Sequence, residues 1–444
     1  MKILDTRISR FLSRCLQILL SIVLVSTAAH ARAENESEKF ILAIVPDTQN
    51  YLDYRNQRNE GFSFDAGEIF LDQMAFLARN SRTGGGEIEF VISVGDVWQH
   101  QSSNVPDETH KLLGLKAVPN PVLDGAVPPT SKVLEVEMPL ARRGYEIISG
   151  EVPFSVVPGN HDYDSMWTDS RFPPTENARI VDGHAIDIGK VHIGGFDNWL
   201  SVFGSGTDFY QGKPWYISSV NGGASSASRF KAGGYSFLVI GLEMQPDDSV
   251  LRWAQTVLDE NKGIPTIIAI HQFLRLDGTR SDDPTLDLRA VHPEHNNPEM
   301  IWGKLIKNND QIFMVVNGHE PGSAKLVSKN NFGHSVYQLL SDYQARQQIM
   351  RMFEDDDEKE KKGLGVGDGW LRLMKFDLSD NTPRIHVRTY STYFHAYSSD
   401  IPQYASWYKA SEHPKLSDEE FNALDDFVIP LTDFRKRFGQ PEAK

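Results

Sequence analysis

Asp47, Asp96, Asn160, His271 and His319 supply carboxylate, amide and imidazole groups, and each stands just after a short apolar run. This donor mixture suits borderline divalent or trivalent metals such as zinc, manganese or iron better than calcium, which prefers oxygen alone. The placement gives the set its weight. FILAIV (40–45) ends at Pro46-Asp47, FVISV (90–94) at Gly95-Asp96 and FSVV (154–157) at Gly159-Asn160-His161-Asp162, while TIIAI (266–270) ends at His271 and IFMVV (312–316) at Gly318-His319. One aspartate at a strand tip can be a helix cap, and one histidine a satisfied core residue. Five ligand-type residues after five such runs describe a site beyond the strand ends of an α/β sheet, where such folds bind their ligands.

The elements that must position these residues are legible in the same stretches. Short, continuously apolar runs rich in branched residues predict buried strands. Helical patterns separate several of them, at 66–80, at 248–261 and in a segment opening at Asn297-Pro298, with Asn as cap and Pro in the first turn. Strands alternating with helices predict an α/β core. After His319 the pattern changes to HSVYQLLSDYQ (334–344) and then to two strand-like runs between 370 and 391, parted by SDNTP, which predict a hairpin. The stretches 100–150 and 163–230 are rich in Pro, Gly and Ser and predict surface loops or caps over the site. EDDDEKEKK (354–362) reads as a solvated loop, there is no internal repeat, and the segment from 392 carries no legible function.

Composition excludes several classes. A chain of 444 residues with 40% hydrophobic and 24% charged residues is globular rather than collagen-like, disulfide-built or wholly disordered. A net charge of −15 argues against a protein that holds nucleic acid by neutralising phosphates. One cysteine excludes an internal disulfide and any cysteine-built zinc or iron–sulfur site. The chain opens with Lys2, Arg7, Arg10 and Arg14, then an apolar run from Cys15 to Ala29, then small residues around Ala31 and Ala33, the order of a secretory signal peptide. Cleavage near Ala31 or Ala33 implies a secreted or periplasmic protein with no membrane span in the mature chain. It also removes the cysteine, five basic residues and one acidic one, which moves the charge from −15 to −19. So acidic a body needs local cations to handle an anionic substrate.

The ordered blocks resemble the calcineurin-like metallophosphoesterase family, whose pattern is Asp-x-His, Gly-Asp-x-x-Asp/Glu, Gly-Asn-His-Asp/Glu, a lone His and Gly-His-x-His, each after a strand. Gly159-Asn160-His161-Asp162 matches in full, Gly95-Asp96 and Gly318-His319 match in part, and His271 follows its strand. The resemblance implies a four-layer α/β/β/α sandwich of two mixed sheets with the metal site at the strand ends. It divides the chain into a signal peptide (1–33), a metallophosphoesterase domain (34–391) and a C-terminal extension (392–444). It implies two metal ions (manganese, zinc or iron) bridged by Asp96, one completed by Asn160, His271 and His319 and the other held by Asp47. Paired ions acidify a water and neutralise charge at phosphorus during in-line attack on a phosphate ester. His161 would clamp the phosphate or donate a proton, oriented by Asp162.

Three departures weaken one ion's cage: Gln49 stands where the first block has His, Gln99 where the second has Asp or Glu, and Pro321 where the last has its second His. A glutamine carbonyl ligates neutrally and cannot act as a base, so Gln49 is a weak ligand or a water-orienting group. The wording PDTQNY, with SDYQ (341–344), resembles a branch of secreted bacterial members that carry Gln here, which would put Asp342 or Gln344 near the site. His100 either points into the cleft in place of a lost ligand or, the commoner outcome, is an exposed loop histidine; His292 and His295 line the pocket or lead into the next helix, and Arg229 and Lys231 contact a substrate anion or are surface charge, the second reading of each being the expected one. Trp98, Tyr163, Trp167 and Trp215 either wall the leaving group or pack the core. The expectation is a secreted, metal-dependent hydrolase of phosphomonoesters or phosphodiesters. The alternatives are a mononuclear hydrolase and a non-catalytic phosphate-ligand binding protein with a degenerate metal site. Substrate identity and oligomeric state are not legible in the sequence.

Overall fold

The computed structural model describes residues 38–440, apart from 182–183, 281, 283–285, 287, 291, 354–364 and 380–381. The expected signal peptide (1–33) and the acidic run (354–362) therefore lie outside the described residues.

The protein is a mixed α/β structure built on two large sheets. In the first, Lys39–Val45 runs parallel to Ile88–Ser93, which runs parallel to Phe154–Val156; on its other side Lys39–Val45 pairs antiparallel with Trp370–Asp377. Trp370–Asp377 forms the expected hairpin with Arg384–Ser391, and Asp426–Pro430 pairs with the latter. The segment beyond 392 thus adds a strand to the sheet. In the second sheet Tyr235–Leu242, Thr266–Ile270, Ile312–Asn317 and Ser335–Asp342 are parallel neighbours, flanked by antiparallel partners at both edges.

The continuous apolar runs follow from burial on both faces. Phe40, Leu42 and Ile44 join Phe237, Val239, Ile267, Phe313 and Val316 in a core shared by the two sheets. At its centre Phe40 stacks on Phe376 at 4.6 Å and meets Phe237 edge-on at 5.3 Å. The intervening Ala43 and Val45 turn instead toward Phe70, Met74 and Leu77 of the helix Ala66–Arg79. On the second sheet Leu238, Ile240 and Ile268 turn toward Val250, Ala254 and Val257 of the helix Asp248–Glu260. That helix starts where Asp247 accepts the backbone N–H groups of Ser249 and Val250, a cap worth about 1 kcal/mol. Asn297 caps Pro298–Lys304 in the same way.

The two Pro- and Gly-rich stretches are more ordered than surface loops. Within 100–150, the helix Met138–Ile148 buries Ala141, Tyr145 and Ile148 in the core. The buried Glu137 just before it accepts from the backbone of Tyr54 (3.2 Å) and Gln99 (3.0 Å). Within 163–230, Tyr216–Val220 and Ser225–Ala232 complete the second sheet. Composition misleads here because small Ser and Ala side chains, flexible when free, also fit a crowded inner strand.

Candidate metal centre

Each expected ligand lies just beyond the C-terminal end of a strand, and the two sheets bring these ends together. His271 Nε2 lies 3.3 Å from Asp96 Oδ2 and 3.0 Å from Asn160 Oδ1. His319 Nδ1 lies 2.8 Å from Asn160 Oδ1 and 3.1 Å from His271 Nε2. His271 Nδ1 sits 2.8 Å from the carbonyl of Val94, to which only an N–H can donate, so in the neutral ring Nε2 presents its lone pair to Asp96 and Asn160. A lone pair facing oxygens at this distance belongs to the kind of donor set a cation organises. Asp96, His271 and His319 form a group that can hold a metal ion, their ligand atoms lying within 4.8 Å of one another.

The turns carrying these side chains are conformationally demanding. Asp96 (φ 51°) and His319 (φ 79°) both adopt the left-handed backbone region, which a side chain disfavours. The glycines of two blocks are required by close approach. A Cβ on Gly159 would fall 2.2 Å from Asp96 Oδ1, and one on Gly318 would fall 2.0 Å from Asp47 Oδ1.

Asp47 accepts the backbone N–H of His319 at 3.1 Å through Oδ2, while its Oδ1 has no partner. Gln49 donates through Nε2 to Asp96 Oδ2 at 3.2 Å, and its buried Oε1 has no partner either. Asp342 and Gln344 do stand at the site: the Gln344 amide nitrogen lies 3.0 Å from Asp342 Oδ2 and 3.4 Å from Asp47 Oδ2. Burial, followed by repulsion from Asp342 and Asp96, pushes the Asp47 carboxyl well above its usual range. Burial pushes Asp342 up to about 7, with Asp96 adding to the rise. The Asp96 carboxyl is held low because His271 and His161 outweigh its burial. Burial and the neighbouring His271 push His319 down to about 3, which keeps its imidazole neutral, the form that binds metal. Asp96 draws the His271 imidazole above its usual range against its burial, so only His319 is kept neutral. Unpartnered buried oxygens, a neutral imidazole and converging carboxylates fit a cation, and they divide into a half with the His271 and His319 rings and a half whose side chains are carboxylates and amides.

His161 reaches the site through its neighbours. Its backbone N–H donates to Asp96 Oδ1 at 2.9 Å, and its ring Nδ1 lies 3.3 Å from Nδ1 of His100. His100 is fully buried, contrary to the exposed loop position expected of it, because the segment after it folds back and Thr130 donates its N–H to the His100 carbonyl at 3.0 Å. The expected orienting role of Asp162 is not seen. Its carboxylate accepts the backbone N–H groups of Val97 (2.7 Å), Trp98 (3.2 Å) and Gly159 (2.8 Å), clasping the two ligand turns together rather than holding the His161 ring. Burial and the nearby Asp96 push that carboxyl up to about 8.

A cleft of about 740 Å³ opens beside Gln49, His161 and Gln344 and is walled by further amides, among them Asn50, Gln99 and Gln347. Gln99 donates to Asn50 at 3.0 Å, so it braces the cleft wall from the position where a carboxylate was expected. None of the four aromatics considered lines this cleft. Trp98 packs on Trp199 and Phe203, Trp167 lies beside His110 and His192, and Trp215 packs on Phe90 and Phe154. Tyr163, His292 and His295 border a second cavity. Arg229 and Lys231 are exposed on a strand.

Among the described residues no helix is long and apolar enough to cross a membrane. No protein-family model matches the chain. Over 250 residues, 54% of this chain, it is 22% identical to an uncharacterized protein, YvnB, of Bacillus subtilis (strain 168), and this match spans 14% of that relative's length.

Proposed function

We propose that the protein is a metal-dependent phosphoesterase of the calcineurin-like kind, exported through its N-terminal signal, whose helix-covered pair of sheets is the four-layer sandwich of that family. The observation that carries this reading is the convergence of Asp96 Oδ2, Asn160 Oδ1, His271 Nε2 and His319 Nδ1, four metal-ligand atoms each from a different strand end. These four would hold one ion, of zinc, manganese or iron, with Asp96 shared toward a second beside Asp47 and Gln49. Ions held there would supply an acidified water and stabilise negative charge growing on the phosphoryl oxygens.

The chain's own residues do the rest. The amide-walled cleft receives the alcohol side of the ester through neutral hydrogen bonds. His161, which borders the cleft, clamps the departing oxygen by a hydrogen bond. When His100 donates from Nδ1, His161 accepts at its Nδ1 and carries its hydrogen on Nε2, the nitrogen that then donates a hydrogen bond to that oxygen. Asp162 acts at one remove, by fixing the turns that carry Asp96 and Asn160.

The test is to strip and reload the purified protein with manganese, zinc or iron, count bound metal, and assay chromogenic phosphomonoesters and diesters. Chelation abolishes hydrolysis, and Asp96→Ala and Asn160→Ala each lose most of it. Full activity in Asp96→Ala would overturn the bridging role, and metal binding without turnover would make the chain a binding protein. Turnover with a single ion per chain would support a mononuclear hydrolase, a reading favoured by Gln49 and Pro321 standing where the family pattern has histidines.

A further inference from the structure

Where the family resemblance expects two histidines around the ion held by Asp47, this chain has Gln49 and Pro321. The fold brings something else to that place. Ser335–Asp342 runs parallel to Ile312–Asn317, with Leu340 opposite Asn317, so the end that carries Asp342 lies beside the end that carries His319. Asp342 is fully buried, as are Asp47 and Asp96. The single amide nitrogen of Gln344 touches Asp342 Oδ2 and Asp47 Oδ2, so those oxygens are separated by no more than its two contact distances of 3.0 and 3.4 Å together.

Three buried carboxylates so placed repel one another unless a positive charge lies among them. Their partners in the described structure are backbone N–H groups, the amides of Gln49 and Gln344, and His271; none is a lysine or arginine. Gln49 supplies an independent sign. Its Oε1 is buried without a donor, although the other end of the same amide touches Asp96. A buried carbonyl oxygen beside a carboxylate has no favourable partner except a donor or a cation.

We infer that Asp342 is a ligand of the second metal position, where a divalent cation is held by Asp47, Asp96, Asp342 and the carbonyl of Gln49, and the Gln344 amide gives way to it. The inference rests on the metallohydrolase reading and deepens it. Carboxylate replaces imidazole, so the position is all-oxygen and takes a harder ion such as manganese or magnesium. The Asn160-His271-His319 position keeps its preference for zinc or iron. The two histidines are therefore exchanged for an acid from another strand, and the loss of charge neutrality selects a different metal for each half.

The experiment is a manganese titration of metal-stripped protein preloaded with one equivalent of zinc, followed by the electron paramagnetic resonance of free and bound Mn(II). Wild type binds one Mn(II) beside the zinc. Asp342→Asn weakens that Mn(II) by more than about tenfold and leaves zinc occupancy unchanged, while Asp342→Glu recovers part of the loss. Retained zinc also certifies that each variant is folded. Wild-type Mn(II) affinity in Asp342→Asn overturns the inference and leaves the phosphoesterase reading standing. A wild type that binds zinc but no Mn(II) likewise overturns it, in favour of a mononuclear enzyme. A wild type that binds neither metal removes both readings.

Discussion

Arg346 and Arg372 meet Glu412 and Asp425 in one buried cluster, and Asp47, Asp96 and Asp342 gather around the amides of Gln344 and Gln49 in a second. In the first, Arg346 donates to Glu412 at 2.8 and 3.0 Å and to Asp425 at 3.1 Å, while Arg372 donates to Asp425 from the other side. Ser323, Tyr343 and Thr389 add hydroxyl donors to Asp425. Burial would raise its carboxyl, but the two guanidinium groups hold it well below the usual range. In the second cluster the acids share amide donors and one imidazole, and Asp47 and Asp342 are pushed up. The first cluster balances its own charge and ties the C-terminal segment to the sheets. The second has no lysine or arginine among its partners in the described structure and sets only His271 directly against one of its three acids, and that difference separates a candidate binding site from a structural network of equal burial.

The sharpest way to break this contrast is to neutralise one acid in each cluster and compare the signs. Asp425→Asn leaves two buried guanidinium groups without their shared partner and is expected to lower stability by about 3–5 kcal/mol. Asp47→Asn removes a repelled carboxylate and is expected to raise the stability of the metal-free protein while weakening metal binding. Urea unfolding of chelator-treated samples reads both. A loss of stability in both variants would mean that the site balances its charge internally after all.

pH separates the clusters next. A carboxyl whose pKa is raised on folding binds its proton more tightly in the native state. Stability therefore falls as pH rises from the usual carboxylate range through the raised value. With Asp342 at about 7 and Asp162 at about 8, metal-free protein should lose stability between about pH 4 and pH 8. Asp425 behaves oppositely, since its depressed pKa stabilises above about pH 4 and the contribution fades as pH falls below that. Melting temperatures of the stripped protein across pH 3–8 should therefore fall toward both ends. Metal should lift the neutral limb, and Asp425→Asn should flatten the acid one.

How much of this was legible in the sequence follows from how local each feature is. The strands and the five candidate ligands after them could be read because burial on both sheet faces forces continuous apolar runs, and each candidate adjoins its run. Asp342 was barely legible, since SDYQ has no metal-ligand spacing of its own and reaches the site only through the neighbouring strand. His100 was misread because the fold-back of 100–150 leaves no local mark. Asp425 and its arginines were invisible, lying 53 and 79 residues apart in sequence. Local chemistry was readable, and chemistry assembled across the chain was not.

The smallest effect tests whether one amide stands in for a cation. Gln344 places a single NH2 group between Asp47 and Asp342 and touches each within 3.4 Å. Hydrogen bonds to charged groups contribute about 1.5–3 kcal/mol, and the longer of these two is weak, so Gln344→Ala should cost metal-free protein about 1.5 kcal/mol. The backbone N–H of Gln344, which donates to Asp342 at 3.0 Å, is untouched by the change. With manganese bound between the carboxylates the amide has no such task, and the same substitution should cost close to nothing. Melting curves with and without manganese measure the difference directly. An equal loss in both would show that Gln344 supports the fold rather than the charge, and that the carboxylates of this half are held apart by something other than a place for an ion.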